Sequence, residues 1–436
     1  MLLNHKRRVV VTGLGLATSL GLELDENWQA VLAGRSGIRR LSHDEAGRSP
    51  VQAVGEVVAA DWKKIQDTFE QEAGNEGERR TLFALWAAGS ALRDAGLPET
   101  EAGTATDHGI GNDRYGVSLA AGLGVNRLED IHRWLDNSRH FDYARFSREY
   151  HQVSEDSIIR NNSNRPAALI AERFGLNGFN STVTTACASA TQAIGIGFRA
   201  VQRGDADLIV AGGADSMINP VGLIFFVLLG AASVSSDDPS SLCRPFDKKR
   251  SGLVMGEGAG FAVLEEESHA RSRGARIYAE VTGYGSSMDA YQVTAPHPKG
   301  AGAEVSMQRA LLDAGISAGD IDYINAHGTS TKLNDVAETI AIKNVFGDEA
   351  RSLAISSSKS MIGHLLAASG GPEFVFTVMS VKHDQIHPTI NLHNPDPKCD
   401  LDYVPNEKRL KTVRAALSNS FGFGGQNASI IVKKYG

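Results

Sequence analysis

Short runs of β-branched and apolar residues alternate along the chain with segments whose apolar residues recur at helical spacing. The short runs are RRVVVTGLG, DLIVAGGAD, GAGFAVLEEE, IYAEVTGYG, DYINAHGTS, LAISSSKS and ASIIVKKYG. Helical periodicity is clearest in RRTLFALWAAGSALRDAGL and EVSMQRALLDAGI. Such alternation is typical of α/β proteins, in which helices cover a sheet of largely buried strands.

Two halves are indicated, because a helix, a short turn and a buried strand occur twice. The segment ATQAIGIGFRAVQRGDADLIVAGGAD is echoed by AEVSMQRALLDAGISAGDIDYINAHG. The charged segment EEESHARSRGA is the expected junction, which gives halves of residues 1–268 and 269–436. A chain of 436 residues is long enough for such a duplication.

The region from about 100 to 165 differs from the rest in composition. It mixes arginine, histidine, aromatic and acidic residues, with little strand signal. Interleaved aromatic and basic residues can contact RNA, but acids offset the five arginines between residues 127 and 148. We therefore expect a solvated or lid-like insertion here.

The overall composition excludes several classes of protein. Apolar residues make up 42% of the chain and charged residues 22%, as in ordinary soluble globular proteins. The formal net charge of -7 argues against a nucleic-acid partner, although a local basic patch could still face an acidic protein. Neither a disulfide framework nor a zinc site is expected, because Cys187, Cys243 and Cys399 show no CxxC spacing.

No membrane partner is expected, and the predicted location is cytoplasmic. The start, MLLNHKRRVVVTG, lacks the apolar run and small-residue cleavage site of a signal peptide. The longest apolar run, VGLIFFVLLGAA at residues 221 to 232, is shorter than the roughly 20 residues that span a bilayer. It is expected to form a buried helix.

Cys187 occupies a position that suits a nucleophile. It follows the strand-like STVTTA and precedes the helix-like ASATQAIGIGFRAVQRG. The positive end of a helix lowers the pKa of a thiol placed there, and the thiolate is the reactive form. Small neighbours would also let a substrate approach, as in a nucleophile elbow. On these residues alone, a buried structural cysteine is an equal alternative.

Two histidines strengthen the case for a site. His327 follows the strand-like DYINA, at the strand end where α/β sites are generally built. His364 lies in SSSKSMIGHLLAASGG, five residues after Lys359. Each histidine alone is more often structural, but together with Cys187 and the glycine-rich SNSFGFGGQNAS they form a constellation. A metal site formed by Cys187, His327 and His364 is an alternative. It is disfavoured because a catalytic zinc site usually has a short ligand pair such as HxxxH.

Four stretches of the chain carry a family resemblance. TTACASATQAIG, NAHGTSTKLND, SSSKSMIGHLLAASG and SNSFGFGGQNAS resemble, in order and spacing, the signatures of elongating β-ketoacyl-acyl carrier protein synthases. That family belongs to the thiolase-like superfamily, so the resemblance implies two duplicated α/β halves in αβαβα layers. A thiolase itself is disfavoured, because FGFGGQN stands where its second cysteine would lie.

The resemblance also implies a reaction. Cys187 would accept an acyl chain from a carrier thioester, and a malonyl-carrier thioester would then lose carbon dioxide and attack as an enolate. His327 and His364 would stabilise the developing oxyanion through ring N–H groups. Lys359 would organise charge around the second histidine. The backbone N–H groups of Cys187 and Phe423 would form an oxyanion hole, and Phe423 would gate an acyl tunnel. No cofactor is implied.

Further residues take implied supporting roles. Thr329 and Thr331 would hydrogen-bond the pantetheine arm of the carrier, although ordinary turn chemistry after a strand is an alternative for both. Glu338 and Glu373 match acids of the family and are expected only to support the site. The acyl and malonyl forms of acyl carrier protein are the implied partners.

The expected carrier-docking surface departs from the family pattern. Gly230 stands where the family has an arginine, and EQEAGNEGERR is acidic where basic residues often dock the acidic carrier. Arg79, Arg80 or arginines of the insertion are expected to substitute.

The expected acyl pocket also departs from the family pattern. Phe226 and Asn162 are assigned to it, at a subunit interface. Asn161, Asn162 and Asn164 suit a saturated chain poorly, because burying an unpaired amide costs about 1 to 3 kcal/mol. These departures favour a specialised polyketide, polyene or modified-lipid ketosynthase, as a homodimer or with a cysteine-less chain-length factor. A non-catalytic partner subunit is the alternative, disfavoured by the intact Cys187 and histidines.

Overall fold

The fold is that of a computed structural model, which describes residues 6–42, 49–75, 78–97, 112–124, 132–153, 159 and 161–436. The strands are β1 (Val9–Ala17), β2 (Arg39–Arg40), β3 (Ala53–Val54), β4 (Tyr115–Ala121), β5 (Asn180–Val183), β6 (Leu208–Asp215), β7 (Gly258–Glu266), β8 (Ala279–Met288), β9 (Tyr323–Asn325), β10 (Ala354–Ser356), β11 (Gln385–Ile386), β12 (Arg409–Leu410), β13 (Ala415–Phe421) and β14 (Gln426–Lys433). The helices are α1 (Leu24–Leu32), α2 (Ala59–Thr68), α3 (Glu70–Asn75), α4 (Arg79–Asp94), α5 (Tyr143–Glu149), α6 (Arg165–Phe174), α7 (Ser189–Arg203), α8 (Pro220–Leu228), α9 (Glu267–Ser272), α10 (Ala301–Ala314), α11 (Asn334–Phe346), α12 (Lys359–Ile362) and α13 (Gly370–His383).

Ten strands form one sheet in the order β10-β9-β13-β14-β8-β1-β7-β6-β4-β5. Outward from β1, the strands β7 and β6 pair antiparallel, and β4 and β5 then pair parallel. Outward from β8, the strands β14, β13, β9 and β10 repeat this pattern. The halves join where Val9 to Val11 of β1 pair with Ala279 to Val281 of β8. The predicted duplication is therefore confirmed.

The two segments that suggested the duplication are not each other's counterparts. By position in the sheet, α7 and β6 correspond to α13 and β13, whereas α10 and β9 correspond to α4 and β4. The sequence comparison paired them wrongly because any helix followed by a buried strand has the same periodicity.

The helices form layers around this sheet. Helix α7 contacts strands of both halves, and α13 also contacts both, so the two helices lie between the halves. Every residue of α13 from Gly370 to Val381 is buried. Helices α4 and α6 pack on strands of the first half, while α10 covers strands of the second and packs against α11. The layering is αβαβα, as predicted.

Two local expectations need correction. Residues 132–153 are mostly exposed, as expected for a solvated insertion, but the expected span is too wide. The region from 100 to 165 contains β4, a central strand that pairs with both β5 and β6. Much of the remaining region lies outside the described residues. The apolar run at 221 to 232 forms α8, but only Gly222 and Phe226 of that helix are buried. Leu223 and Val227 are half-buried, whereas Val221, Ile224, Phe225 and Leu228 are exposed. Helical spacing distributes a continuous apolar run over every face, so burial of one face leaves the others exposed.

Among the described helices, none combines the length and apolar character needed to cross a bilayer.

Candidate active site

Cys187 lies on the turn between β5 and α7 and is 5% exposed. The preceding residue, Ala186, has a left-handed φ of 48°. Ser189 holds this turn, because its Oγ accepts from the Thr185 N–H at 2.7 Å and donates to the Ala186 carbonyl at 2.6 Å. The strained backbone thus presents the cysteine at the start of the helix.

Cys187 meets both histidines in one pocket. Its Sγ and one ring nitrogen of each of His327 and His364 lie within 4.8 Å of one another. The two imidazole rings are nearly perpendicular, with centroids 5.4 Å apart. All three side chains are buried and line a pocket of about 540 Å³. The structure therefore brings together residues that are far apart in the chain.

A buried ammonium group holds His327. Lys359 is 1% exposed and donates to the His327 carbonyl at 2.7 Å, with His327 Nδ1 at 3.2 Å from its Nζ. It also forms an ion pair with Glu373. The sequence analysis assigned Lys359 to the second histidine, but the structure places it against the first. The reason is that the segment leading into α12 is bonded to the loop after β9, where the Ser357 hydroxyl donates to the Gly328 carbonyl at 2.7 Å.

His364 is held through its other contacts. Its Nδ1 accepts from the Leu366 N–H at 3.1 Å and lies 2.7 Å from Ser369 Oγ. Its backbone N–H donates to the Val254 carbonyl, and its own carbonyl accepts from the Gly256 N–H. The turn after it is tied to β6, because Asp215 accepts from the Ala367 N–H at 3.0 Å.

Both imidazoles are neutral donors. Burial, reinforced by the charge of Lys359, lowers the pKa of His327 and of His364 well below the usual value. In each ring Nδ1 accepts a hydrogen bond, so we assign the proton to Nε2. Each ring can then donate one N–H to an oxygen bound in the pocket.

Burial dominates the chemistry of the cysteine. It raises the pKa of the Cys187 thiol to about 11, against the smaller lowering effects of Lys359 and of a hydrogen bond from the Phe423 N–H. The net shift is therefore opposite in direction to the one that a helix end alone favours. Desolvation disfavours the thiolate because the thiolate is the charged form of the side chain.

The loop after β9 is anchored by buried acids. Glu338 accepts the backbone N–H groups of His327 and Gly328, each at 2.8 Å, and burial raises its pKa to about 7. Thr329 and Thr331 line the pocket, with their hydroxyl oxygens 2.9 Å apart. The Thr331 hydroxyl also accepts from the Asn334 N–H, which is the predicted turn chemistry. Their role toward a pantetheine arm stays a prediction.

The glycine-rich stretch forms the turn between β13 and β14. A Cβ at Gly422 would lie 3.1 Å from the Cys187 nitrogen, so only glycine fits there without a shift. Gly424 and Gly425 have φ values of 84° and 80°, a region that favours glycine. Phe423 lines the pocket and packs against Phe226, with ring centroids 6.5 Å apart. The gate stays a prediction.

Other predicted residues lie away from Cys187. Asn162 is exposed on the single chain and is not among the described residues that line the pocket. Arg80 is fully buried and bonds to Gly122 and Glu78, so its predicted docking role is wrong. Arg79 binds the buried Glu257. Of the insertion arginines, Arg127 lies outside the described residues.

The metal alternative is disfavoured by charge. Cysteine and two histidines within 4.8 Å are a ligand set that a metal ion could use. However, the Lys359 ammonium lies 3.2 Å from a His327 ring nitrogen and would repel a divalent cation.

Sequence reasoning missed Asp215 and Ser369. Asp215 ends the recognised strand-like run DLIVAGGAD, and an acid at a strand's carboxyl end was the available signal. Ser369 lies five residues after His364, in a small-residue stretch that carried no distinguishing signal.

A cysteine on a strand-to-helix turn, facing two neutral imidazoles within a duplicated α/β sheet, defines the thiolase-like class of enzymes. Comparison with known families makes this more specific. Residues 6–270 match the β-ketoacyl synthase N-terminal domain, and residues 278–393 match its C-terminal domain. The chain belongs to the β-ketoacyl synthase family. It is therefore a condensing enzyme, as the four motifs predicted.

Individual relatives agree with this assignment. The chain is 42% identical over 432 residues to the 3-oxoacyl-[acyl-carrier-protein] synthase 2 of Synechocystis sp., covering 99% of each chain. A type II polyketide ketosynthase structure, in complex with its acyl-carrier protein, matches 99% of this chain and 100% of its own at a TM-score of 0.86 and 31% identity. The structure of the ishigamide ketosynthase/chain length factor matches at a TM-score of 0.82 and 34% identity, again over 99% of this chain and 100% of its own.

Alkylation of Cys187 by iodoacetamide is expected to accelerate about tenfold per pH unit between pH 7 and 10, without levelling. The reason is that a thiol with a pKa of about 11 is mostly protonated over this range. Peptide mass spectrometry would follow Cys187, with the buried Cys243 and Cys399 as internal controls. A rate that levels off below pH 9 would contradict the expectation.

Proposed function

We propose that this chain condenses an acyl group, held on Cys187, with a malonyl-carrier thioester to give a β-ketoacyl thioester and carbon dioxide. The supporting observation is the meeting of the Cys187 sulfur with two neutral imidazoles in one buried pocket. The proposed partner is acyl carrier protein in its acyl and malonyl forms. A related ketosynthase of known structure binds such a carrier.

The first step is acyl transfer. The Cys187 sulfur attacks the acyl carbon, the carrier sulfur leaves, and the thiol proton passes to that leaving sulfur. The backbone N–H groups of Cys187 and Phe423 would stabilise the negative oxygen that forms during the attack. A Phe423 N–H that already bonds to the cysteine sulfur supports this role. Movement of the Phe423 ring would open the way to the acyl tunnel.

The second step is decarboxylation. The bond between the malonyl carboxylate and its methylene carbon breaks, and its electron pair forms the enolate of the carrier thioester. His327 and His364 would each donate an N–H to the enolate oxygen. Lys359 would occupy Nδ1 of His327 and so keep the donor proton on Nε2, while its charge also helps to keep His364 neutral. Thr329 and Thr331 would hold the pantetheine arm.

The third step is condensation. The enolate carbon attacks the acyl carbon on Cys187, a new carbon–carbon bond forms, and the bond to sulfur breaks. The Cys187 thiolate then takes up a proton from solvent, which its high pKa favours. The intact cysteine and histidines argue against the alternative of a non-catalytic partner subunit.

The kind of acyl chain that the enzyme elongates is the finer part of the proposal. Fatty-acid elongation is supported by 42% identity to a 3-oxoacyl-[acyl-carrier-protein] synthase 2, whereas the type II polyketide ketosynthase and the ishigamide ketosynthase/chain length factor share 31% and 34% identity. The specialised polyene or polyketide hypothesis stays a prediction. Its support is the set of asparagines at 161, 162 and 164, which would reach an acyl pocket only if a second subunit closed over them.

The chain is further proposed to work as a dimer, with a second copy or a homologous chain-length factor. Strand β5 ends the ten-stranded sheet, so one of its edges is unpaired within the described chain. The edge strand of a second subunit could pair with this free edge through its backbone N–H and C=O groups.

Separating the half-reactions tests the residue roles. Cys187→Ala is expected to abolish the covalent acyl adduct. His327→Ala and His364→Ala are each expected to keep the adduct but to slow malonyl-carrier decarboxylation about 100-fold or more, because each removes one oxyanion donor. Intact-protein and carrier mass spectrometry measure both steps. Cys243→Ala is the matched control, and histidine variants that decarboxylate at the wild-type rate would refute the assignment.

A panel of carrier thioesters tests the acyl chain. Polyunsaturated or aromatic chains are expected to label Cys187 at least tenfold faster than saturated chains of similar length, if polar walls favour them. Intact mass after short exposure gives the rates, with Cys187→Ala as the blank. Equal or faster labelling by saturated chains would reject the specialised hypothesis and leave fatty-acid elongation.

Replacing Thr182 by proline tests the dimer. The Val117 N–H bonds to the Phe179 carbonyl, so strand alternation turns Ser181 toward β4 and the Thr182 N–H toward the free edge. Thr182→Pro removes that donor and is expected to yield monomers in light scattering. Thr182→Ala keeps the backbone donor and should stay dimeric. A dimeric proline variant would place the interface elsewhere.

A further inference from the structure

Three exposed apolar side chains lie in or next to the segments that line the Cys187 pocket. Leu228, Val293 and Leu333 are 81%, 75% and 60% exposed. Leu228 precedes the lining residue Leu229, Val293 lies between lining residues, and Leu333 itself lines the pocket. A single exposed apolar residue needs no explanation, but several around one opening mark an interaction surface. We name these three residues the mouth collar.

An apolar stripe continues the collar along α8. Val221, Ile224, Phe225 and Leu228 recur at helical spacing, and all four are exposed. Such a stripe on a helix fits the apolar face of a partner element. The next residue beyond Leu229, Gly230, has no side chain and open space where a Cβ would stand. A partner could therefore approach the opening closely from this side.

Charge at the opening complements the apolar surface. Lys332 lines the pocket, and Lys249 lies two residues before the lining residue Ser251. Both are exposed, and neither forms an ion pair within the described part of the chain. The whole chain carries a formal charge of -7, so this positive rim is a local exception. It suits a partner face that carries both apolar and acidic side chains.

The pocket also restricts the kind of partner. Resting on the proposed function, two thioesters must enter in turn and the product must leave by this opening. A second copy bound permanently over the collar would block that traffic, so the occupant must dissociate in every cycle. Small apolar contacts with a few charges suit such a transient complex.

We infer that the mouth collar and the α8 stripe are the docking surface for the acidic carrier domain, and that apolar contact at Leu228 and Leu333 takes the place of an arginine-rich patch. The carrier would rest its apolar and acidic face on this rim while its thioester arm reaches Cys187. The buried Arg80 and the paired Arg79 cannot supply that surface.

The test compares two donors of the same acyl group. Octanoyl-carrier protein and octanoyl-pantetheine, which lacks the protein, would each acylate Cys187 of the full-length chain. Leu228→Asn is expected to lower kcat/KM for the carrier at least tenfold, with a change below twofold for the pantetheine thioester. Leu333→Asn is expected to lower kcat/KM more for the carrier than for the pantetheine thioester, because Leu333 also lines the pocket. Leu312→Asn and Leu410→Asn, at 83% and 75% exposed positions away from the pocket, are matched controls expected to change neither.

Several results would overturn the inference. Equal losses with both donors would mean that the leucines shape the pocket rather than dock the carrier. An unchanged rate with the carrier would exclude the collar, and a change of oligomeric state in Leu228→Asn would assign the stripe to a second copy. If the wild-type chain accepted the octanoyl group from pantetheine but not from the carrier, the docking inference would be rejected and the proposed acyl transfer to Cys187 would stand. Acylation by neither donor would overturn the proposed function as well.

Discussion

The buried charge of Lys359 is the interaction on which the rest of the site depends. An ammonium group removed from water costs several kcal/mol unless partners compensate it. Here the partners are the Glu373 carboxylate and two acceptors of His327. These bonds tie α12, α13 and the loop after β9 together. The contact that stabilises this charge therefore also orients the imidazole that faces Cys187.

Backbone strain appears where the loops of the two halves meet. Ala186, Ser330 and Leu366 all adopt left-handed φ values, at 48°, 65° and 51°. For such residues this conformation costs on the order of 1 to 3 kcal/mol, so neighbouring bonds must hold it. Ser189 does so beside Ala186, and Asp215 does so through the turn after Leu366. The strain is consistent with a site that is rigid before substrate arrives.

The patterns that predicted well were local. The seven apolar runs became strands of the sheet because period and composition are read over a few residues. Strand β13 was missed as a strand, since its buried SNS is polar and looked like part of a glycine-rich loop. Strand β4 was hidden in a region of mixed composition for a similar reason. The exposed α8 shows the converse failure, because apolar character does not say which faces are covered.

The sequence by itself determined the α/β class, the presence of two halves, the family, and which residue types gather at the site. Those properties follow from periodicity and from motifs a few residues long. Only the tertiary structure decided that Lys359 contacts His327 rather than His364, that burial raises the pKa of the Cys187 thiol, and that Leu228 is exposed. Each depends on desolvation and on neighbours distant in the chain, which no local pattern encodes.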